Sequence, residues 1–269
     1  MPPNPPKPNL LPISATVICK NEEACIGKCL ESLAGLAEIV VVDSGSTDLT
    51  LAIVDAAARA GLPIRLIHQD WLGYAGQKQF ALDCAREPWI LSIDADEWLD
   101  DALAADLPRL IAAEESIVGW KLRRTLTLYG TRKPVSLWTR PEHILRLVRR
   151  GRAHFDESLI VHEGLIVEGR TEIAGNGLLR HERGLPLDQQ MRKEIVYAKL
   201  KAEQRIERGR KPSWAKLFFN PPIYFLRIFI WNRFFLCGCA GFIHAMTGAT
   251  YSFMTEAMHR QFYISRNRS

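Results

Sequence analysis

Two acidic residues at the end of an apolar run are the part of this chain best suited to chemistry. In WILSIDADEWL, Trp89–Leu99, the run stops at Asp94 and Asp96, with only Ala95 between them. A short apolar run that ends in charge is typical of a buried parallel strand reaching the edge of its sheet. Because side chains alternate along a strand, we predict that both carboxylates lie on one face, about 7 Å apart.

Two explanations fit this pair of carboxylates. A divalent cation that carries phosphate oxygens would offset their repulsion, since Mg²⁺ is usually held by one or two carboxylates and by substrate phosphates. The alternative is a solvated acidic turn that continues into Glu97, Asp100 and Asp101. Asp-x-Asp is a common spacing, so the motif by itself does not decide between them.

The upstream sequence predicts the elements that would position these acids. Apolar runs followed by polar turns and helix starts occur in Ile13–Glu23 and Glu38–Thr50, a third strand is predicted in Ile64–Gln69, and a further helix in Tyr74–Ala85. This alternation predicts a doubly wound, mostly parallel α/β sheet, in which ligands bind beyond the carboxyl ends of the strands. Asp43 ends the second apolar run and is therefore expected at the same edge as Asp94 and Asp96.

Several motifs, taken as a set, resemble those of a known family. They are TVICKNEE, VVVDSGSTD, WLGYAGQKQFAL and ILSIDADEWL, followed later by VHEG at Val161–Gly164. The chain is similar to the family 2 glycosyltransferases, inverting nucleotide-sugar enzymes with the GT-A fold, and most of all to the bacterial lipopolysaccharide core β-glycosyltransferases. The resemblance covers most of Ile13–His181 and, more loosely, the C-terminal third. A Gly-rich phosphate loop and a GxGxxG turn are both missing, so kinase-like and dinucleotide-binding functions have no support.

The resemblance implies a UDP-sugar donor, with UDP-glucose suggested, and Mg²⁺ or Mn²⁺ as the metal. Asp96 would bind the cation directly, and Asp94 would contact the ribose or the metal shell. Asp43 would accept a hydrogen bond from the uracil imide. His181 would add a metal contact, although a lone histidine is more often structural. The other residues that the resemblance places at the nucleotide are Asn21, Glu22, Ser44, Gln77, Lys78 and Ala95.

Inverting transfer also needs a base that removes the proton of the acceptor hydroxyl from the side opposite the leaving group. The resemblance indicates Glu163 of VHEG, and a carboxylate between apolar strand residues can have a raised pKa. Glu97 and Asp156 compete for this role. Glu163 could also be an ordinary surface residue of a strand.

Length and composition favour one α/β domain with an extension. The chain has 269 residues, 47% of them apolar, which is enough for one core but hardly for two full domains. We predict a disordered Pro-rich leader at 1–12, a GT-A domain at 13–187 and a helical, membrane-associating region at 188–269. The leader lacks the apolar stretch of a secretory signal, and the six cysteines lack zinc or CxxC spacing, so we expect a reducing, cytoplasmic location.

The net charge of +5 is unevenly distributed along the chain. A group of arginines after the acidic motif is either a solvated basic rim or a site for a phosphorylated acceptor, because Arg matches phosphate oxygens. These residues are Arg140, Arg146, Arg149, Arg150 and Arg152. Nucleic acid is not expected as a partner, since no recognised binding module accompanies these charges.

The last third of the chain combines aromatic and basic residues. Residues 234–255 contain no Asp, Glu, Lys or Arg, and that length could span a bilayer. Its three glycines and His244 favour helices lying in the surface of an anionic membrane instead, with a spanning helix, an oligomer interface or a core helix as alternatives. By resemblance, the acceptor is a lipid-linked glycan such as lipopolysaccharide core, at the cytoplasmic face of the bacterial inner membrane.

Two other classes of protein fit parts of the sequence. A sugar-phosphate nucleotidyltransferase also uses metal-binding acids on a doubly wound sheet, but VICKNEE stands where its Gly-rich, basic signature is expected. A non-enzymatic protein that binds membrane surfaces would explain the C-terminal third, but it would not explain three acids at strand ends.

Overall fold

The computed structural model describes residues 10–128, 139–140, 142–156, 164–182 and 186–267. These divide into two compact units. The first comprises 10–125, 142–156 and 164–181, and the second comprises 126–128, 139–140, 182 and 186–267. The first strand begins at Leu11, two residues before the predicted domain start, and residues 1–9 of the predicted leader lie outside the described part of the chain.

The first unit alternates strands and helices and then changes to a mainly β pattern. The alternating half contains β1 (Leu11–Cys19), α1 (Ile26–Ser32), β2 (Leu36–Asp43), α2 (Thr50–Arg59), β3 (Ile64–His68), α3 (Gly73–Asp83) and β4 (Trp89–Asp94). The following half contains β5 (Glu97–Leu99), α4 (Asp101–Ile111), β6 (Ile117–Thr127), β7 (Glu142–Arg149), β8 (Ala153–Phe155), β9 (Leu165–Val167), β10 (Arg170–Ile173) and β11 (Leu179–Glu182).

One mixed sheet runs through this unit in the order β3-β2-β1-β4-β7-β6-β11-β5, with β10 paired to β6. Neighbours among β3, β2, β1 and β4 are parallel. Strand β7 is antiparallel to both β4 and β6. A separate antiparallel pair is formed by β8 and β9. The predicted α/β fold is confirmed, and its second half adds antiparallel strands to the doubly wound parallel half.

Helices cover both faces of the parallel half, which explains its nearly continuous apolar strands. On one face, Ile13 of β1 shares a buried cluster with Leu30 of α1 and Leu107 of α4. On the other, Val40 of β2 packs with Ala81 of α3. The carboxyl ends of β1, β2 and β4 are therefore held on a core that is closed on both sides.

The second unit is helical. It contains α5 (Leu187–Glu207), α6 (Trp214–Leu226), a π-helical turn (Arg227–Trp231), a 3₁₀ turn (Phe234–Cys237) and α7 (Gly238–Arg266). Gly248 lets α7 approach its neighbour closely, since a Cβ there would lie 2.8 Å from the Tyr224 ring and 2.7 Å from Ile228. Within the described residues, one helical stretch, 234–266, is long and apolar enough to cross a membrane, and 28% of its most apolar window is buried.

The start of α4 is tied to the loop before β11 by a close backbone approach. The Asp100 Oδ1 atom accepts hydrogen bonds from the backbone N–H groups of Leu103, at 2.8 Å, and Leu178, at 2.9 Å. Gly177 has φ +75°, and a Cβ on it would lie 2.1 Å from the Leu103 nitrogen. Only glycine fits this position, because both its φ and the space around it exclude a side chain.

We expect Gly177→Ala to lower the free energy of unfolding by about 2–4 kcal/mol, from left-handed backbone strain and overpacking together. Urea unfolding followed by circular dichroism would measure the change. Gly175→Ala is the matched control, because a Cβ at Gly175 meets nothing within 4 Å. Equal unfolding midpoints for the two variants would contradict this account of the turn.

Candidate functional site

Sheet register brings two of the predicted acids to the same edge. In β1, Cys19 pairs with Asp43 of β2, and Ile18 pairs with Asp94 of β4. Adjacent strands lie about 4.8 Å apart, so the two aspartates flank the end of β1 on either side. Their common edge follows directly from the parallel strand order.

The carboxylate of Asp43 is buried and organises the loop that follows β2. Its oxygens accept hydrogen bonds from the Ser46 hydroxyl, at 2.5 Å, and from the Gly45 N–H, at 2.9 Å. His68 Nδ1 lies 3.4 Å away. Burial alone would raise the pKa of Asp43, but the hydrogen bonds from Ser46 and Gly45 outweigh it and hold the pKa below its ordinary value. Asp43 is therefore an ionised acceptor at neutral pH.

The loop after β1 is bonded to this β2 loop. Asn21 donates its N–H to the Ser46 hydroxyl at 3.0 Å, and its Oδ1 accepts the N–H of Thr47 at 2.8 Å. The N–H of Glu22 donates to the Thr50 hydroxyl at 2.8 Å. The structure thus places Asn21 and Glu22 beside the Asp43 loop, and their contact with a nucleotide stays a prediction.

Helix α3 supplies the next side of the site through Gln77, which is fully buried. Its Nε2 donates to the Ser44 hydroxyl at 3.0 Å and to the Gln69 carbonyl at 3.3 Å. Its Oε1 accepts the N–H of Leu72 at 3.2 Å. Gln77 and Ser44 therefore join the loops that follow β2 and β3.

The acidic motif forms a turn, so strand alternation does not set its geometry. Strand β4 ends at Asp94, Ala95 and Asp96 form the turn, and β5 begins at Glu97. The N–H of Asp94 donates to Glu97 Oε2 at 3.2 Å and closes the turn. The prediction that alternation along one strand places Asp94 and Asp96 on a shared face is wrong, because the strand stops at the first of them.

Two cations hold the carboxylate of Asp94. Lys78 Nζ lies 2.8 Å from one oxygen, and Arg146 Nη2 donates to the other at 2.6 Å. The side chains of Lys78 and Arg146 are only 9% and 10% exposed. Burial would raise the pKa of Asp94, but the charges of Arg146 and Lys78 outweigh it and keep the pKa well below its ordinary value.

Asp96 has a different neighbour. Its Oδ2 lies 3.0 Å from Nε2 of His181, which β11 carries into the site through the antiparallel pairing of His181 with Glu97. Within the described part of the chain, the other ring nitrogen of His181, Nδ1, is buried without a hydrogen-bond partner. A carboxylate beside an imidazole is a donor set suited to Mn²⁺ or a similar divalent cation.

The chain by itself supplies few metal ligands. No group of three or more His, Cys, Asp or Glu side chains that could hold a metal occurs among the residues the structure describes. A cation at Asp96 and His181 would therefore take its remaining ligands from a phosphorylated substrate and water, as Mg²⁺ commonly does. The residues present fit a metal that binds together with a nucleotide.

The three candidates for the catalytic base differ in what the structure describes of them. Glu97 has no exposed surface and is paired with Arg146 at 3.0 Å and Arg124 at 3.2 Å, so it cannot reach an acceptor hydroxyl. Asp156 is described and follows β8. Glu163, with its neighbour His162, lies outside the described residues.

The arginine group does not form one surface. Arg146 is turned inward onto the acidic corner, and Arg149 donates to the backbone carbonyls of Ile117 and Ala113. The sequence analysis placed Arg146 in this arginine group without pairing it with the acids, and it missed Arg124 as a site residue. A signal for Arg146 was present, since an arginine inside the apolar strand segment ILRLV has to find a buried partner.

Comparisons with known proteins point to one family. Residues 14–158 match Glycosyl transferase family 2. The chain is 52% identical over 252 residues to the lipopolysaccharide core biosynthesis glycosyltransferase LpsC of Rhizobium meliloti (strain 1021), covering 92% of this chain and 91% of that protein. It is 28% identical over 265 residues to an uncharacterized glycosyltransferase of Rickettsia bellii (strain RML369-C), with coverage of 95% and 88%.

A solved structure shares the fold. Mannosyltransferase PcManGT from Pyrobaculum calidifontis, in complex with GDP-Man and Mn²⁺, matches with a TM-score of 0.50 and 15% identity, over 95% of this chain and 76% of that chain. This likeness concerns the architecture, which is that of the GT-A glycosyltransferases.

Proposed function

This chain belongs to glycosyl transferase family 2 and is a glycosyltransferase, and we propose that it is an inverting, metal-dependent enzyme that uses a UDP-sugar. The two alternative classes considered from the sequence, a nucleotidyltransferase and a non-enzymatic membrane-surface protein, are therefore wrong. One observation supports the proposal most: an ionised Asp43 and the Asp94–Asp96 corner lie at the same edge of the parallel sheet, where nucleotide ligands bind in folds of this class.

The donor would bind with its nucleoside across Asp43 and Asp94. An ionised Asp43, held by donors on its own loop, is suited to accept a hydrogen bond from the uracil imide. Asp94, fixed between Lys78 and Arg146, keeps a partly exposed carboxylate that can accept hydrogen bonds from ribose hydroxyls. By resemblance UDP-glucose is the donor we would test first.

The cation would be held by Asp96 and His181. Asp94 would contact the ribose or the shell of ligands around the metal. When bound, the cation would stabilise the negative charge that develops on the departing diphosphate. The two residues leave room for phosphate oxygens in its coordination, so binding of metal and of nucleotide is coupled.

The acceptor would be a lipid-linked glycan of the lipopolysaccharide core type. The 52% identical relative is named for this pathway, and it matches this chain over nearly the full length of both. Glu163 would act as the base that takes the proton of the acceptor hydroxyl, by the resemblance of VHEG to its family.

The helical unit supports a position at the surface of a membrane. Helix α6 contains no buried residue, and it exposes Trp214, Phe218, Phe219 and Ile223 by 56% to 65%. The guanidinium of Arg260 lies 3.6 Å above the Trp214 ring, so a cation accompanies the aromatic surface. Aromatic and basic side chains together suit the boundary of an anionic leaflet, and we propose the cytoplasmic face of the inner membrane.

Removing the proposed metal-binding carboxylate should distinguish metal-dependent from metal-independent binding of UDP. We expect Asp96→Asn to abolish transfer and to weaken UDP binding in Mn²⁺ by more than about 10-fold, while binding in EDTA stays unchanged. Asp94→Ala should be nearly as damaging to transfer. Isothermal titration with UDP, with and without Mn²⁺, measures the two affinities. The control is Asp101→Asn, an exposed acid in the first turn of α4. Full transfer by Asp96→Asn would exclude this metal site.

Replacing the proposed base should affect turnover alone. We expect Glu163→Gln to lower kcat by roughly 10²- to 10⁴-fold and to leave affinity for the UDP-sugar nearly unchanged, because a base acts in the transition state. UDP release in the presence of acceptor gives kcat, and titration gives affinity. Asp156→Asn is the competing variant. If it loses turnover while Glu163→Gln retains it, the base is Asp156.

Polar substitutions on α6 should weaken membrane binding. We expect Phe218→Ser with Phe219→Ser to reduce flotation of the full chain with anionic vesicles at low salt, because two exposed aromatic rings are lost. Ile173→Ser removes an exposed apolar side chain of β10, in the first unit, and should leave flotation unchanged. High salt should release part of the wild-type protein, since each basic residue near the surface contributes about 1 kcal/mol. Failure of the wild-type chain to float at low salt would contradict the membrane assignment.

A further inference from the structure

We propose that Arg146 is a positioning residue, which braces both ends of the turn 94–97 and thereby sets the place of Asp96. This inference rests on the proposed function for its catalytic meaning, since Asp96 is there the metal-binding carboxylate. Its structural content, that one arginine holds the turn closed, can be tested without any donor or metal.

A single nitrogen atom makes both contacts of the brace. Nη2 of Arg146 donates to Asp94 Oδ2 at 2.6 Å and to Glu97 Oε1 at 3.0 Å. Asp94 and Glu97 are the residues immediately outside Ala95 and Asp96, so the guanidinium ties the two sides of the turn together. The second oxygen of Glu97 accepts the Asp94 N–H at 3.2 Å and closes the same turn through the backbone.

The arginine itself is held by the sheet. Its strand, β7, pairs with β4 through Leu147 and Leu91, and with β6 through Leu147 and Trp120. The Arg146 residue is 8% exposed. Arg124 of β6 adds a second contact to Glu97 at 3.2 Å and is itself paired with Glu142 of β7 at 2.8 Å. Strands β7 and β6 therefore hold in place the two arginines that contact Glu97.

Electrostatics makes the brace necessary. Glu97 is fully buried, and a buried carboxylate without a partner costs several kcal/mol. Without Arg146, Asp94 and Glu97 would face each other at opposite ends of a two-residue turn and would lose the donor that both of them share. The turn would then relax by moving the two carboxylates apart.

Movement of this turn would displace Asp96. It lies between the two braced residues, and its partner His181 is paired to Glu97 through β11. Opening the turn would therefore change the spacing of Asp96 and His181, the two side chains proposed to hold the cation. A displacement of this kind around metal ligands commonly lowers metal affinity by roughly 10- to 100-fold.

The test compares two Arg→Lys substitutions on the same strand. Arg146→Lys keeps the charge but shortens the side chain, which moves the donor away from the position that Nη2 holds between the two carboxylates. Arg149→Lys is the matched control, because Arg149 donates to the backbone carbonyls of Ile117, at the start of β6, and of Ala113, and neither contact involves the two acids. Arg124→Lys is the milder variant, which loosens only the Glu97 end, and it serves if Arg146→Lys does not fold.

The first measurement is amide hydrogen exchange of the full chain without ligand. We expect exchange in 94–97 to accelerate in Arg146→Lys, and less in Arg124→Lys, relative to core strands of the same sample. Arg149→Lys should leave this segment unchanged. A segment that exchanges alike in Arg146→Lys and Arg149→Lys would overturn the brace.

The second measurement is UDP binding. We expect Arg146→Lys to bind UDP roughly 10- to 100-fold more weakly in Mn²⁺, and to lose less affinity in EDTA, where only the contact of Asp94 with the ribose is affected. Equal affinity in Mn²⁺ for Arg146→Lys and Arg149→Lys would overturn the positioning of Asp96, even if exchange in 94–97 is faster. If wild-type protein binds no UDP in either condition, the proposed function fails, while faster exchange in Arg146→Lys would still support the brace.

Discussion

Charge compensation inside the turn 94–97 is the constraint on which the rest of the site depends. Three carboxylates, those of Asp94, Asp96 and Glu97, lie within four consecutive residues, and one of them is fully buried. Such a group is stable only if cations are built into the fold around it. Arg146 and Lys78 supply them for Asp94, and Arg146 and Arg124 for Glu97.

The three acids differ in the groups that lie beside them. Asp94 and Glu97 have cations within ion-pairing distance, so their charges are already balanced by the protein. Asp96 lies instead beside His181, an imidazole at 3.0 Å. We propose that this carboxylate, with the imidazole beside it, is the one that takes an external cation. A nucleotide bound together with its cation would bring both the metal and the phosphate oxygens that we propose for this place.

The sheet explains how distant segments meet at this turn. Parallel strands carry Asp43 and Asp94 to one edge, because the carboxyl ends of adjacent parallel strands coincide. Antiparallel strands then return from the other half of the unit and carry Arg146 and His181 to the same edge. The mixed sheet therefore joins the half proposed to bind the nucleotide to the half proposed to meet the acceptor. The helical unit has an exposed aromatic surface, and we propose that this surface binds the membrane.

The sequence by itself determined the parallel half of the fold and the acids at its edge. Apolar runs that end in charge are local patterns, and the pairing of successive strands carries them to one edge without further information. The motifs in the same hundred residues were enough to indicate the family, which the comparisons then confirmed. Asn21 and Gln77, chosen from the motifs, lie beside the Asp43 loop, and their contact with a nucleotide stays a prediction.

The tertiary structure alone decided which partner each carboxylate has. Arg146 is 52 residues from Asp94, and His181 is 85 residues from Asp96. Both contacts depend on the register of antiparallel strands, and no sequence pattern near the acids indicates that register. Alternation along β4 does not extend to Asp96, because the strand ends at Asp94 and the Asp94 N–H donates to the Glu97 side chain across the turn. Local sequence patterns can place a charged residue at an edge, but the charge that balances it comes from strands that only folding brings near.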